Sequence, residues 1–185
     1  MTDFPLHDID SAPAAAKPKL EGARKAMGFI PNIFAKMAEA PAVLEGYMAL
    51  SDIFDRTSLS PVEREVVLLT TSVEHDCRFC VAAHSGRARK AGMDDAVLEA
   101  LRAGEPLPDR RLQALHAFTL AVVRQRGWVD DAAVEELIEA GFERGQALEV
   151  VLGVSMKVLS NYTNHIAGTP VNAELEPFKW EGKTG

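Results

Sequence analysis

Cysteine is scarce in this 185-residue chain: there are two, Cys77 and Cys80, and they stand three positions apart. A structural disulfide framework would spread several cysteines along the sequence, so a lone close pair reads as reactive or metal-binding. Basic clusters are missing as well. Twenty lysines and arginines against 27 acidic residues leave a net charge of −7. An acidic chain without a basic face cannot displace the counterions of a nucleic acid, so that partner is not expected. No apolar run approaches the roughly 18 residues of a membrane span. Residues 1–17 have neither a basic n-region nor an apolar h-region. They do not read as a secretory signal, and the expected location is the cytoplasm, where thiols are kept reduced. No glycine-rich phosphate loop occurs, so no nucleotide, flavin or other cofactor is implied. Alternating strand patterns are nearly absent too, and the expected fold class is all-α.

What remains is an ordinary globular composition, with enough apolar residues for one core and too little chain for two. The expected organisation is one all-α domain over 17–170, an N-terminal arm over 1–16 and a C-terminal arm over 171–185. Phe4, Leu6, Phe178 and Trp180 are apolar for solvated tails. The arms are therefore expected either to be disordered or to wrap a neighbouring subunit.

Helix signals recur between them. Segments 31–38 and 41–54 each open on a proline, and Val43, Leu44, Tyr47, Leu50 and Phe54 repeat at helical spacing. Ser60-Pro61-Val62-Glu63 is a capped start, in which serine accepts from the third amide and glutamate bonds back to the cap. The run Val66-Val67-Leu68-Leu69 is strand-like alone but falls inside that helix. Asp130-Asp131 opens another, Gln146 to about His165 makes a long final one, and Gly168-Thr169-Pro170 ends it. His116 reads as core or interface, and Trp128 as a packing anchor. Asn161, Asn164 and His165 read as partners for helix-end carbonyls, with lining the mouth of a site as the alternative.

The chemistry sits at Cys77-Arg78-Phe79-Cys80. Two thiols so spaced can close a short disulfide at a helix N-terminus, where free amides and the helix dipole favour a thiolate. Asp76 is the expected N-cap. His84, four residues after Cys80, shares its helix face and could take its proton directly or through a water. Glu65 lies on the preceding helix and could orient that histidine, as the third member of a triad does. A zinc site from Cys77, Cys80, His84 and either Glu65 or His75 stays open, as do two merely structural core cysteines.

Glu65, a gap of eleven residues, Cys77-x-x-Cys80-x-x-x-His84 and then Ala88-Arg89-Lys90-Ala91-Gly92 together resemble the carboxymuconolactone decarboxylase-like superfamily, in its alkylhydroperoxidase D-like branch. The flanking Met27–Asn32 and Asn161–His165 look like its longer peroxidase-related members. The resemblance implies an all-α fold packed within and across subunits, as a homo-oligomeric trimer or hexamer. It implies a thiol-dependent peroxidase acting on hydroperoxides. Cys80 would be the nucleophile that becomes a sulfenic acid, and Cys77 the proton donor and resolving thiol that closes a disulfide. His84 would be the base and Glu65 the proton relay, and an external thiol or disulfide reductant would restore the pair. Where some members carry a histidine between the cysteines, this chain has Phe79. A disulfide-reductase adaptor, a lactone decarboxylase and a zinc-binding or structural oligomer are the alternatives.

Overall fold

The computed structural model describes residues 3–183; positions 1–2 and 184–185, the outermost parts of the expected arms, lie outside it. Among the described residues the chain is all-α, without a strand. The helices are α1 (Lys17–Met27), α2 (Asn32–Met37), α3 (Pro41–Phe54), α4 (Pro61–Glu74), α5 (Arg78–Lys90), α6 (Asp95–Ala103), α7 (Arg110–Arg124), α8 (Asp131–Glu139) and α9 (Arg144–Ala167), followed by a 3-10 turn over Ala173–Phe178. None is long and apolar enough to cross a membrane.

The axis of the fold is α4. Ser60 Oγ accepts from the Glu63 amide at 3.3 Å and the Glu63 carboxylate accepts from the Ser60 amide at 2.8 Å, closing the expected capping box. Every residue from Glu65 to Val73 is buried, because α5, α6, α7 and α9 all pack around this one helix. A helix covered on all sides carries apolar residues all round. That is why Val66–Leu69 has no polar face. Thr71 and Ser72 return their hydroxyls to the Val67 and Leu68 carbonyls, so even its polar side chains are satisfied inside the helix.

The long α9 lies across α4 and α3. Its approach is set by Gly153, where an added Cβ would come within 2.7 Å of the Phe54 ring and 2.9 Å of Val67. α9 begins at Arg144, two residues before the expected start, because Glu143 and Gln146 form a capping box of their own. By contrast α1 is not announced by its apolar pattern, since Leu20 and Ala23 are its only buried side chains. Pro18 in its first turn and the left-handed Gly28 after it (φ +85°) are what bound it.

The described parts of both arms make contacts with their own chain. The His7 amide donates to the Ala35 carbonyl at 3.3 Å, Lys36 Nζ donates to the Phe4 carbonyl, and Ala12 and Ala16 are buried. At the other end Trp180 Nε1 donates to the Arg102 carbonyl at 3.0 Å, and the Phe178 ring lies against Gly86. Lys183 Nζ meets Glu74 at 2.7 Å. Trp180 is buried and Phe4 and Phe178 are half-buried against the chain itself, whereas Leu6 is exposed.

Candidate active site

The turn from α4 into α5 differs from the capped start expected of it. Asp76 is not the N-cap. Its backbone is left-handed (φ +54°), a conformation short polar residues tolerate better than most, and its Oδ1 accepts from the Lys183 amide at 3.1 Å. Cys77 occupies the cap position itself, with its amide donating to the Ser72 carbonyl at 2.9 Å. Cys80 then falls in the first turn of α5, and both sulfurs sit at the positive end of the helix. Both cysteines are buried and free; no disulfide joins them in this structure.

Around Cys80 the four expected residues are joined by one that the motif does not contain. Glu65 Oε2 accepts from His84 Nδ1 at 2.8 Å, and Arg87 Nε holds the other carboxylate oxygen at 3.1 Å. With its proton directed to Glu65, the imidazole offers Nε2 as an acceptor. That lone pair is taken by Lys157 Nζ at 3.1 Å. Lys157 reaches in from α9, is wholly buried, and its charge acts on Cys80. The order is therefore Glu65, His84, Lys157, Cys80, and the imidazole reaches the sulfur through the lysine.

Burial opposes charge on Cys80, yet the hydrogen bond from Cys77 and the charge of Lys157 prevail and hold its thiol well below the ordinary range. Cys77 moves the other way: its bond to Cys80, then burial, hold its proton on. Burial also works against the Lys157 ammonium, and the Cys80 charge more than restores it. His84 is pushed down by burial and by Lys157, so near neutrality it is uncharged and the cation facing Cys80 is the lysine. This is an ion pair with a thiol beside it, an arrangement that keeps a sulfur nucleophilic without a free base next to it.

From α9 come two further neighbours. Asn164 Nδ2 lies 3.2 Å from Cys80 Sγ and 3.6 Å from Cys77 Sγ, and Ser160 Oγ lies 3.9 Å from Cys80 Sγ. Asn164 thus belongs to the thiols rather than to the helix end, contrary to its sequence reading, while Asn161 Nδ2 meets His75 Nδ1 at 3.1 Å. His165 is exposed beside the Tyr162 ring. His116 is a core residue, bonded at 2.8 Å to Thr70 Oγ1 on the far side of α4. Trp128 is not a packing anchor: it is 85% exposed, because the turn after α7 carries it away from the core. The zinc alternative loses its ligands, since both ring nitrogens of His84 are committed. Among the described residues no three His, Cys, Asp or Glu side chains gather as a metal site.

Lys157 was legible only in register. Val150, Gly153, Lys157, Ser160 and Asn164 follow one buried face of α9, and a lysine on such a stripe is the anomaly that marks a paired, buried cation.

Above Cys80 opens a cavity of about 610 Å³. Phe29, Ile33, Phe34 and Leu175 form much of its wall, Cys80, His84 and Lys157 line its floor, and Phe79 and Tyr47 flank them. An apolar hollow of this size with a few converging polar groups has the form of a small-molecule site.

Residues 41–108 match the carboxymuconolactone decarboxylase family. No curated protein matches the sequence. Among solved structures, an uncharacterized peroxidase-related protein of Ralstonia eutropha, described as an alkylhydroperoxidase AhpD core, is 25% identical with a TM-score of 0.83, over 93% of each chain. A peroxidase-related protein from a Silicibacter species is 22% identical with a TM-score of 0.81, over 96% of this chain and 95% of that one. A cysteine-to-alanine variant of the debrominase Bmp8 in complex with 2,3,4-tribromopyrrole shares the fold at 17% identity and a TM-score of 0.76, over 96% and 95% of the two chains. Residues 41–108 thus match the carboxymuconolactone decarboxylase family, and the fold around them is that of the alkylhydroperoxidase AhpD-like peroxidase-related structures.

Proposed function

We propose that the protein is a thiol-dependent peroxidase that reduces hydroperoxides through Cys77 and Cys80. One observation carries the reading: a buried Cys80 set against the Lys157 ammonium, with the Cys77 thiol beside it, on the floor of an apolar cavity. The Cys80 thiolate attacks the terminal oxygen of the hydroperoxide and the O–O bond breaks. Cys80 becomes a sulfenic acid, and the leaving alkoxide takes a proton from Lys157 and departs as the alcohol. Glu65 and His84 hold that ammonium in place through Nε2. The Cys77 thiol then condenses with the sulfenic acid, forming the disulfide and releasing water. An external dithiol reduces the disulfide by exchange and returns the two protons to Cys77 and Lys157.

The test is a single-turnover oxidation of the reduced protein by one equivalent of cumene hydroperoxide, read by intact mass. The wild type should lose two hydrogens as the disulfide forms, Cys77→Ser should stop at an added oxygen on Cys80, and Cys80→Ser should not react. Oxidation that persists in Cys80→Ser would overturn the assignment.

A second reading is favoured by the likeness to Bmp8 and by the apolar cavity: the same dithiol passing two electrons to a halogenated aromatic, with halide leaving, a proton replacing it and the disulfide formed. Bromide release from 2,3,4-tribromopyrrole, matched one-to-one by disulfide, is its signature. For assembly, we propose a homo-oligomer, trimer or hexamer, whose contact is the exposed apolar side of α9 at Leu148, Val151, Tyr162 and Ile166. A monomer by sedimentation would contradict the assembly.

A further inference from the structure

The cavity above Cys80 has a charge pattern that the peroxide chemistry does not use. From α5 it takes Phe79, Cys80, Ala83, His84, Arg87 and Lys90. At about 1.5 Å per residue, Cys80 and Lys90 are about 15 Å apart along the axis. Cys80 and Lys157 are buried at one end, whereas Lys90 is exposed at the other. Arg64, half-buried, lines the same cavity. Its neighbour Glu65 meets Arg87, one turn from Lys90.

The cations of this wall are not evenly matched. Four line it, Arg64, Arg87, Lys90 and Lys157, with the carboxylates of Asp55 and Glu65 between them. Arg87 takes both carboxylates, Glu65 at 3.1 Å and Asp55 at 3.3 Å, and Lys157 faces Cys80. Arg64 uses one nitrogen on the Leu59 and Thr57 carbonyls. Among the described residues neither Arg64 nor Lys90 forms an ion pair, and set against the second carboxylate on Arg87 they leave the lining with one positive charge in excess. Between mouth and sulfur the wall is the apolar surface of Phe29, Ile33, Phe34 and Leu175.

We propose that this cavity selects an amphipathic monoanion: a carboxylate held at the mouth by Arg64 and Lys90, with a hydrocarbon body lying along the wall toward Cys80. Resting on the peroxidase reading, the substrate class is the hydroperoxide of a fatty-acid-like monocarboxylate. The cations attract and orient the charged end, and the hydrocarbon gains by leaving water. The O–O bond is thereby brought to the sulfur with the leaving oxygen toward Lys157.

The test compares matched pairs on the full chain. Single-turnover oxidation is measured with linoleic acid hydroperoxide and with its methyl ester, and binding to the reduced protein is measured with laurate and with lauryl alcohol. The acid should be preferred in both assays by roughly fivefold or more, the scale of a partly exposed charge contact. Raised salt should shrink the preference. Arg64→Gln with Lys90→Gln should abolish it, and so should Lys90→Glu, a change at an exposed position that removes as much positive charge. Each ratio is taken within one protein, so a change in overall rate does not enter. Oxidation by both peroxides without acid preference overturns this site and leaves the peroxidase standing. Preferential laurate binding without peroxide oxidation supports the site and overturns the peroxidase. Equal binding of laurate and alcohol overturns the site whatever the peroxides do.

Discussion

Replacing Lys157 by methionine is the sharpest perturbation this structure offers. The side chain is fully buried, its ammonium donates to His84 Nε2 and its charge acts on Cys80, and methionine fills much the same volume without charge. Two unit charges about 4 Å apart attract by about 4 kcal/mol at an effective dielectric of about 20. At about 1.4 kcal/mol per power of ten, that attraction is worth up to roughly a thousandfold in thiolate population. The Cys77 bond and the end of α5 remain in the variant, so the expected loss in the rate of Cys80 oxidation near neutral pH falls short of that bound, at about a hundredfold. Stability should not fall in step. Cys80 can take up a proton, no charge is stranded, and exchanging a buried ion pair for an apolar side chain is often neutral or stabilising. The assays are ultraviolet thiolate absorbance against pH, stopped-flow oxidation by hydrogen peroxide, and thermal unfolding. Lys157→Met should titrate Cys80 at higher pH, react slowly and melt no lower than wild type, and Lys157→Arg should recover part of the rate. Wild-type absorbance and rate in Lys157→Met would refute the claim that this lysine sustains the thiolate.

Gly153→Ala should lower stability by about 1–3 kcal/mol, because its Cβ would enter the Phe54 and Val67 side chains, and it should also slow oxidation, since Lys157 stands one turn further along the helix it displaces. Denaturant melts and stopped-flow rates check both. His116, pushed down by burial from 6.5 to about 4, stays neutral in the fold while the unfolded chain takes up a proton. Stability should therefore fall as pH drops from about 6.5 to about 4, by up to about 3 kcal/mol, and His116→Gln should flatten that slope in urea titrations. Glu74, held down to about 2 first by its bond to Arg124 and then by Lys183, gives stability that is present above about 4.5 and lost below it. Glu74→Gln should be nearly indistinguishable from wild type at the acid end of the same titration. Ser60→Ala removes one side of the capping box of α4 and should cost about 1 kcal/mol by thermal or urea unfolding.

Most helices were legible because each signal is local. The proline and serine start of α4, the aspartate before α8 and the glycine after α9 act on amides and carbonyls within one turn. Glu65 and His84 were legible through spacing, and their 2.8 Å contact follows once α4 and α5 pack. Lys157 and Asn164 were not read from the motif, since they come from a helix more than 70 residues away and meet the cysteines only through tertiary packing. Asp76 misled because a good capping residue is also a residue that tolerates a left-handed turn, and the tight exit from α4 required the turn. Trp128 misled because size alone was taken for burial, whereas a residue following the left-handed Arg126 and Gly127 is carried outward.

The central claim is that Cys80 is a resident thiolate that hydroperoxides oxidise. Its most direct test is the pH dependence of the second-order rate with which hydrogen peroxide oxidises Cys80, followed in Cys77→Ser so that a single sulfur reports. The account predicts a fast rate that is level through neutral pH and falls only in acid, where the thiolate paired with Lys157 is protonated. A slow rate that climbs with pH through the free-thiol range near about 8.5 would contradict it.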